Sequence, residues 1–116
     1  FIDSDDYIGK GYIPILKQAL SGKPELAVFK THYLLTPNGS YSEEAVDLPE
    51  GEALGIDSIF EALITQKLNS CWSKAFRKDI IDSAHIRFTE GMQISEDYVF
   101  VLDYAACCSR VMTFGL

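Results

Sequence analysis

Basic runs, regularly spaced cysteines and long apolar stretches are all missing from this sequence of 116 residues. With 17 acids against 10 bases and no cluster of Lys and Arg, the chain offers no electrostatic surface for nucleic acid. The three cysteines, two of them adjacent, fit neither a disulfide framework nor a zinc site, so we expect reduced packing residues. No apolar run approaches about 18 residues, the length of a membrane-spanning helix. These absences favour a cytoplasmic protein, with the inner face of a membrane as the alternative location.

Residues 1–116 are predicted to form a single domain, because 47% of them are hydrophobic and the length is sufficient for a core. A short helix is expected first, with Pro14 in its first turn. Residues 26–35 have the β-branched and aromatic content of a half-buried strand. Because Asn38-Gly39 is a strong hairpin signal, a second strand is expected to begin at Tyr41.

The second half of the chain is dominated by helical patterns. Residues 56–64 carry apolar side chains at i, i+3, i+4, i+7 and i+8, which predicts an amphipathic helix. Ser95 is an N-cap candidate for a helix over residues 97–107, which is apolar around much of its circumference and therefore expected to be buried. The other segments are a strand or loop over 68–76, a brief helix over 78–84 and a last strand over 110–114. The predicted fold class is α/β.

The chain opens on Phe1-Ile2-Asp3-Ser4-Asp5-Asp6, in which two apolar residues of strand character run into three carboxylates. In an α/β sheet, acids at the carboxyl end of a strand face the crevice where ligands bind. Carboxylates are hard oxygen ligands that suit Mg²⁺ or Mn²⁺, and an acidic protein needs such a cation to bind an anionic phosphate. One interpretation is therefore a metal-bridged phosphate site. The other is a polar turn after a strand.

A second acidic pair, Glu96 and Asp97, follows the candidate N-cap Ser95. One interpretation is that these acids stabilise the first turn of the helix. The other is that one of them is a general base at the mouth of the ligand crevice. Together with the opening acids, such a base would meet the needs of metal-assisted group transfer to an alcohol.

Between the two acidic motifs lie Trp72, Lys74 and Arg77, which offer a stacking surface and two cations. The alternative is a packed indole with two solvated basic side chains. Neither histidine has a cysteine or second histidine at metal-ligand spacing, so both are expected to be structural.

Three stretches occur in order along the chain: FIDSDDYI at 1–8, CWSKAFRKDII at 71–81, and IRFTEG at 86–91 followed by SEDYVF at 95–100. Each resembles a motif of one enzyme family. The first resembles its DxD segment, the second its W-x-K-x-F/Y-R stretch, and the third its segment with F-x-E-G followed by E-D-x-x-F. That family is the family-two glycosyltransferases of the GT-A fold, especially the bacterial enzymes that build capsular, O-antigen or exopolysaccharide chains.

This resemblance implies part of a GT-A-type, Rossmann-like mixed sheet with flanking helices and a β-hairpin. It implies that Asp5 binds a divalent cation, Mn²⁺ or Mg²⁺, that bridges the donor diphosphate, and that Asp3 helps with the metal or the ribose. It also implies that Asp97 deprotonates the acceptor hydroxyl in an inverting transfer from a nucleotide-sugar donor to a saccharide acceptor. The residues expected to contact substrate are Asp6, Trp72, Lys74, Arg77 and Glu96, with Glu96 positioning the neighbourhood.

The family's N-terminal half, with its nucleotide-binding units, has no counterpart in this sequence. We therefore expect the chain alone to be a poor catalyst or none, and to self-associate through an exposed sheet edge. One alternative is a non-catalytic fragment that binds a partner chain or a glycan. Another is a Mg²⁺-dependent phosphatase of the haloacid-dehalogenase type, with Asp3 as nucleophile and Asp5 as acid, although that pattern expects a small residue and then Thr or Val where Asp6-Tyr7 stand.

Overall fold

A computed structural model gives the structure of the protein and describes residues 1–4, 6–51, 53–65 and 68–115. The helices are α1 (Tyr12–Ser21), α2 (Asp57–Ile64), α3 (Lys78–Ser83) and α4 (Glu96–Ala105). The strands are β1 (Leu26–Phe29), β2 (Thr31–Leu35), β3 (Tyr41–Ala45), β4 (Ala53–Leu54), β5 (Lys74–Phe76) and β6 (Val111–Phe114). The fold is therefore mixed α/β, as predicted. No helix in the described part of the chain is long and apolar enough to cross a membrane.

A mixed sheet with the strand order β4-β6-β1-β5 forms the centre of the molecule. β1 is parallel to β6 and antiparallel to β5, while the two-residue β4 is antiparallel to β6. All four residues of β1 are buried, as expected for a continuous apolar run covered on both faces of a sheet. The short segment at 68–76 was predicted to be either strand or loop, and it ends in strand β5.

The two faces of the sheet are covered by different helices. Leu26 and Val28 of β1 join a buried cluster with Phe100 and Tyr104 of α4. Phe29 points to the other face, because side chains alternate along a strand, and its ring contacts Tyr12 of α1. The sheet is therefore sandwiched between α4 and α1.

One predicted strand is in fact two. The pattern at residues 26–35 predicted a single strand, but the chain leaves the central sheet at Lys30. The N–H of Lys30 donates to Phe114 of the central sheet, whereas its C=O accepts from Val46 beside the hairpin. β2 and β3 then pair antiparallel as a separate two-stranded sheet around the predicted turn, in which Gly39 has a φ of 82°. The hairpin is confirmed, and the division at Lys30 corrects the strand boundary.

Tyr104 of α4 ties the helix to the end of the β1–β5 ladder. Its hydroxyl accepts a hydrogen bond from the N–H of Arg77 at 2.8 Å and donates one to the C=O of Glu25. Those two residues would be the next pair beyond Leu26 and Phe76 in the register of the two strands. The hydroxyl therefore continues the pairing by one step where the two backbones separate.

Two helix predictions need correction. In α2, Ile59 and Leu63 are buried as predicted, but Phe60 and Ile64, which were placed on the same apolar face, are exposed. The helix has only eight residues, and a single neighbouring surface covers only part of its wide apolar stripe. In α4, Ser95 does stand at the N-cap position, but it has a φ of 65° and its side chain makes no capping hydrogen bond.

Candidate functional site

The opening segment is held by the ring of Phe1. This ring packs edge-on against three others. The distances between ring centroids are 5.6 Å to Phe76 in β5, 5.6 Å to Phe88 in the loop before α4, and 5.3 Å to Phe100 in α4. Aromatic pairs prefer this edge-to-face arrangement because the positive ring edge meets the negative face. The first residues of the chain are thereby fixed beside β5 and the start of α4.

The predicted metal acids follow directly. Asp3 is exposed, and its C=O accepts a hydrogen bond from the N–H of Asp6 at 3.1 Å, so a turn forms after the apolar pair. Asp6 is also exposed. Asp5, the expected principal metal ligand, lies outside the described residues. The polar-turn interpretation is thus compatible with this geometry. The same turn leaves the carboxylate of Asp3 accessible to solvent.

The candidate base Asp97 lies in the first turn of α4 and is half-buried. Its Oδ2 accepts a hydrogen bond from the backbone N–H of Cys71 at 2.9 Å. Hydrogen bonds to an ionised acceptor are about twice as strong as neutral ones, so this contact fixes the carboxylate firmly. Glu96, its neighbour, is half-buried as well. The bond joins two of the three stretches singled out in the sequence, although they are 26 residues apart.

The segment that receives this bond makes a tight turn before β5. Ser73 adopts a φ of 59°, in the left-handed region that costs strain for a residue with a Cβ, and β5 begins at the next residue. The Trp72 side chain in this turn is half-buried.

Lys74 is buried, with only 4% of its surface exposed. Its Nζ donates to the C=O of Ser70 at 2.7 Å, which clamps the ends of the turn together. Burial lowers the pKa of Lys74 to about 8, and its interactions with Cys71 and Asp97 act in the opposite direction. The interpretation of Lys74 as a solvated cation was therefore wrong. Its position in a short amphipathic strand gave no sign of burial.

Arg77 behaves differently. Its side chain is exposed and forms a two-point ion pair with Asp79, in which Nε donates to Oδ1 at 3.0 Å and a terminal nitrogen donates to Oδ2. The hydrogen bonds from Arg77 lower the pKa of Asp79. Of the two interpretations of Arg77, this arrangement agrees with the one that makes it a solvated basic residue.

The pKa of Cys71 depends on burial and on charged groups from all three stretches. Burial raises the pKa of the Cys71 thiol to about 12, and the negative charge of Asp97 adds to that rise. Lys74 and the amino group of Phe1 both act to lower it. Cys71 is consequently a neutral thiol near pH 7 and no nucleophile. Sequence reasoning missed its role as the partner of Asp97, because a backbone N–H donor has no residue signature.

A depression of about 340 Å³ lies beside this neighbourhood, between α1, the opening segment, β5 and α3. Its walls are mostly apolar, and Lys74 and Lys78 contribute its only cationic residues among those described. The remaining lining residues are Phe1, Ile2, Tyr12, Ile13, Leu16, Leu20, Ala75, Phe76 and Ile81.

A divalent cation would find only part of its ligand set within the described residues. The exposed Asp3 carboxylate offers the hard oxygen atoms that Mg²⁺ and Mn²⁺ prefer. Within residues 1–4, 6–51, 53–65 and 68–115, no group of three or more His, Cys, Asp and Glu side chains is arranged to hold a metal. Asp3 is therefore the described member of the predicted metal pair, since Asp5 lies outside the described residues.

The chain was also compared with known proteins. No protein-family model matches it, and no curated protein matches its sequence significantly.

Proposed function

We propose that this chain carries the acceptor-side part of an inverting glycosyltransferase of the family-two, GT-A type. The reaction would move a sugar from a nucleotide-diphosphate-sugar donor to a hydroxyl of a saccharide acceptor during surface polysaccharide synthesis, in the cytoplasm or at the inner membrane face. One observation carries the proposal. The opening acidic segment, the stretch around Trp72 and the Glu96–Asp97 pair, far apart in sequence, adjoin one another through Phe1, Phe100 and the Cys71–Asp97 hydrogen bond.

Asp97 is the general base in this proposal. Its carboxylate takes the proton of the acceptor hydroxyl, the hydroxyl oxygen forms a bond to the anomeric carbon, and the bond from that carbon to the diphosphate breaks. Since Oδ2 is held by the N–H of Cys71, we assign proton transfer to Oδ1. A base held in place in this way meets the positional demands of proton transfer.

Asp3 and Asp5 would hold a divalent cation. Such a cation supplies positive charge for the donor diphosphate and stabilises the nucleoside diphosphate that leaves. Asp6 lies on the same segment as the metal acids, and Trp72 lies in the turn before β5. We assign both residues, together with Arg77 and Glu96, to contacts with the donor and the acceptor. Lys74 acts from within the protein, by holding the turn that binds Asp97.

Two other functions are compatible with the same residues. A non-catalytic module would use the half-buried Trp72 and the neighbouring polar side chains to bind a glycan. A Mg²⁺-dependent phosphatase would use Asp3 as nucleophile, but it gives no role to the fixed Asp97 carboxylate. We therefore favour the glycosyltransferase.

The test is a titration of the chain with Mg²⁺ and UDP-sugars, in which the amide NMR shifts are followed. The expected result is a metal-dependent set of shifts at residues 2–8 and near Asp97, abolished in Asp5→Ala. Asp47→Ala removes an exposed acid from the loop after β3 and is the matched control, which should retain the shifts.

Each alternative has its own outcome. Shifts with an oligosaccharide alone, without metal or nucleotide, would favour the glycan-binding module. No response to nucleotide sugar at millimolar metal would overturn a donor site on this chain.

A further inference from the structure

Two exposed tyrosine rings meet between the opening segment and the hairpin. Tyr7 follows the predicted metal acids, and Tyr41 is the first residue of β3. Their hydroxyl groups share a hydrogen bond although the two residues are 34 positions apart in sequence. Tyr7 is 71% exposed and Tyr41 is 54% exposed, so the contact buries little of either ring. The two rings are therefore held beside each other and remain accessible to a ligand.

The hairpin adds further side chains next to the tyrosine pair. Leu35 lies directly opposite Tyr41 in the register of β2 and β3, so the two side chains share one face of the hairpin. Leu35 is 64% exposed. Glu43, two residues after Tyr41, is on the same face and is also exposed. This face therefore presents apolar surface together with an ionised hydrogen-bond acceptor.

The turn that precedes Tyr41 is fixed by its own hydrogen bonds. Oδ1 of Asn38 accepts hydrogen bonds from Oγ of Ser40 at 2.6 Å and from the N–H of Ser40 at 3.1 Å. The N–H of Thr36 donates to the C=O of Ser40 at 2.8 Å. A loop that is already ordered loses little conformational entropy when a ligand binds beside it. The hairpin thus supplies a fixed base for the ring of Tyr41.

We propose that Tyr7 and Tyr41 form a stacking subsite for a neutral sugar unit of the acceptor saccharide. A pyranose has an apolar C–H face, which packs on an aromatic ring, and hydroxyl groups at its edge, which donate to phenol and carboxylate oxygens. The exposed carboxylates of Asp3, Asp6 and Glu43 lie on the same two segments and oppose an anionic ligand. This inference rests on the proposed function, because it assigns the subsite to the acceptor.

A saccharide titration tests the subsite. The neutral probes are maltohexaose, cellohexaose and chitohexaose, and the anionic probe is an oligogalacturonate. Mg²⁺ and UDP are present throughout, so that the saccharide meets the state that the transferase would offer to its acceptor. At least one neutral probe should shift the NMR signals of the rings of Tyr7 and Tyr41, and the anionic probe should leave them unchanged.

Variants of both rings show whether stacking carries the binding. Tyr7→Ala and Tyr41→Ala, on two separate segments, should each weaken the binding of the responding saccharide at least about tenfold. Tyr41→Phe keeps the ring and should bind within about threefold of the parent chain. Phe60→Ala removes a ring of similar exposure, 55%, from α2 and is the matched control, which should bind like the parent chain.

The failure of the subsite can be distinguished from the failure of the proposed function. Ring signals that respond to no neutral oligosaccharide would overturn the subsite, while the Mg²⁺-dependent response to UDP-sugars would still support the transferase. Equal binding by Tyr41→Ala and the parent chain would overturn it as well, since the saccharide must then bind elsewhere. A preference for oligogalacturonate would overturn the neutral ligand. Tyrosine-dependent saccharide binding without any response to UDP-sugars would support the subsite and count against the transferase.

Discussion

The two sides of the central sheet differ sharply in how completely they are packed. On the α4 side, Phe100 and Tyr104 are 2% and 0% exposed. On the α1 side, Ile13 and Leu20 are still 46% and 41% exposed. A helix with four buried residues is fixed by the core, whereas α1, with one, keeps apolar surface available for a further partner.

Because of this difference, the residues proposed for the chemistry are held in place in two different ways. Asp97 stands on the packed side, and its carboxylate is bonded to the backbone. Asp3 stands on the opening segment, which is attached mainly through the ring of Phe1. The proposed base is therefore held by a contact of the folded chain, whereas the carboxylate of Asp3, the described one of the two proposed metal ligands, is exposed.

The largest predicted effect concerns a buried ring on the well-packed, α4 side of the sheet. Phe100→Ala should lower the free energy of unfolding by about 3–5 kcal/mol, because it leaves a cavity in the buried aromatic cluster. Phe60→Ala, in α2, removes the same atoms from a side chain that is 55% exposed and should cost less than about 1 kcal/mol. Urea unfolding of both variants measures the contrast. Equal losses would mean that α2 and α4 contribute similarly to the core.

The well-packed side is also the part that the sequence predicted best. The apolar run of β1 and the helical periodicity of α4 are properties of single segments, and both elements exist close to the expected residues. The division of the long strand at Lys30 depends instead on which of two sheets offers backbone partners, and no residue in the segment specifies that choice.

The candidate site was predicted only in its residue types. The acids and their order along the chain indicated a base and a metal site, and Asp97 does adjoin the middle stretch. The contact itself uses the backbone of Cys71, and the burial of Lys74 results from the turn that precedes β5. Contacts of these kinds are set by tertiary packing, which a local pattern does not contain.

A smaller effect concerns the buried ammonium group of Lys74. Lys74→Met replaces a buried cation by an apolar side chain of similar length, but it also removes the hydrogen bond to the C=O of Ser70, so the two effects on the free energy of unfolding oppose each other at pH 7. The folded-state pKa of about 8 lies below the usual 10.5, so the unfolded chain binds more protons between these values. The cost of the charge therefore falls as the pH rises through 8.

Between pH 7 and pH 9 the free energy of unfolding of the parent chain should accordingly rise by about 1 kcal/mol relative to that of Lys74→Met. Urea unfolding of both proteins at pH 7 and pH 9 gives the two differences. Burial of Cys71 and Cys108 raises their pKa values to about 12, which destabilises both proteins above pH 9, and the comparison between them removes most of that contribution. Parallel stability profiles for the two proteins would show that Lys74 does not titrate in this range.

The smallest effects separate the two proposed acids. Asp97→Asn replaces a charged acceptor by a neutral one and should lower the free energy of unfolding by about 1 kcal/mol, while leaving Mn²⁺ binding intact. Asp3→Asn should leave unfolding unchanged, because the side chain is exposed, yet weaken Mn²⁺ binding by about tenfold in calorimetry. If Asp3→Asn changed stability and spared the metal, the opening acids would be a structural turn. The proposal requires that Asp97→Asn lowers stability and spares Mn²⁺ binding, and that Asp3→Asn spares stability and weakens Mn²⁺ binding.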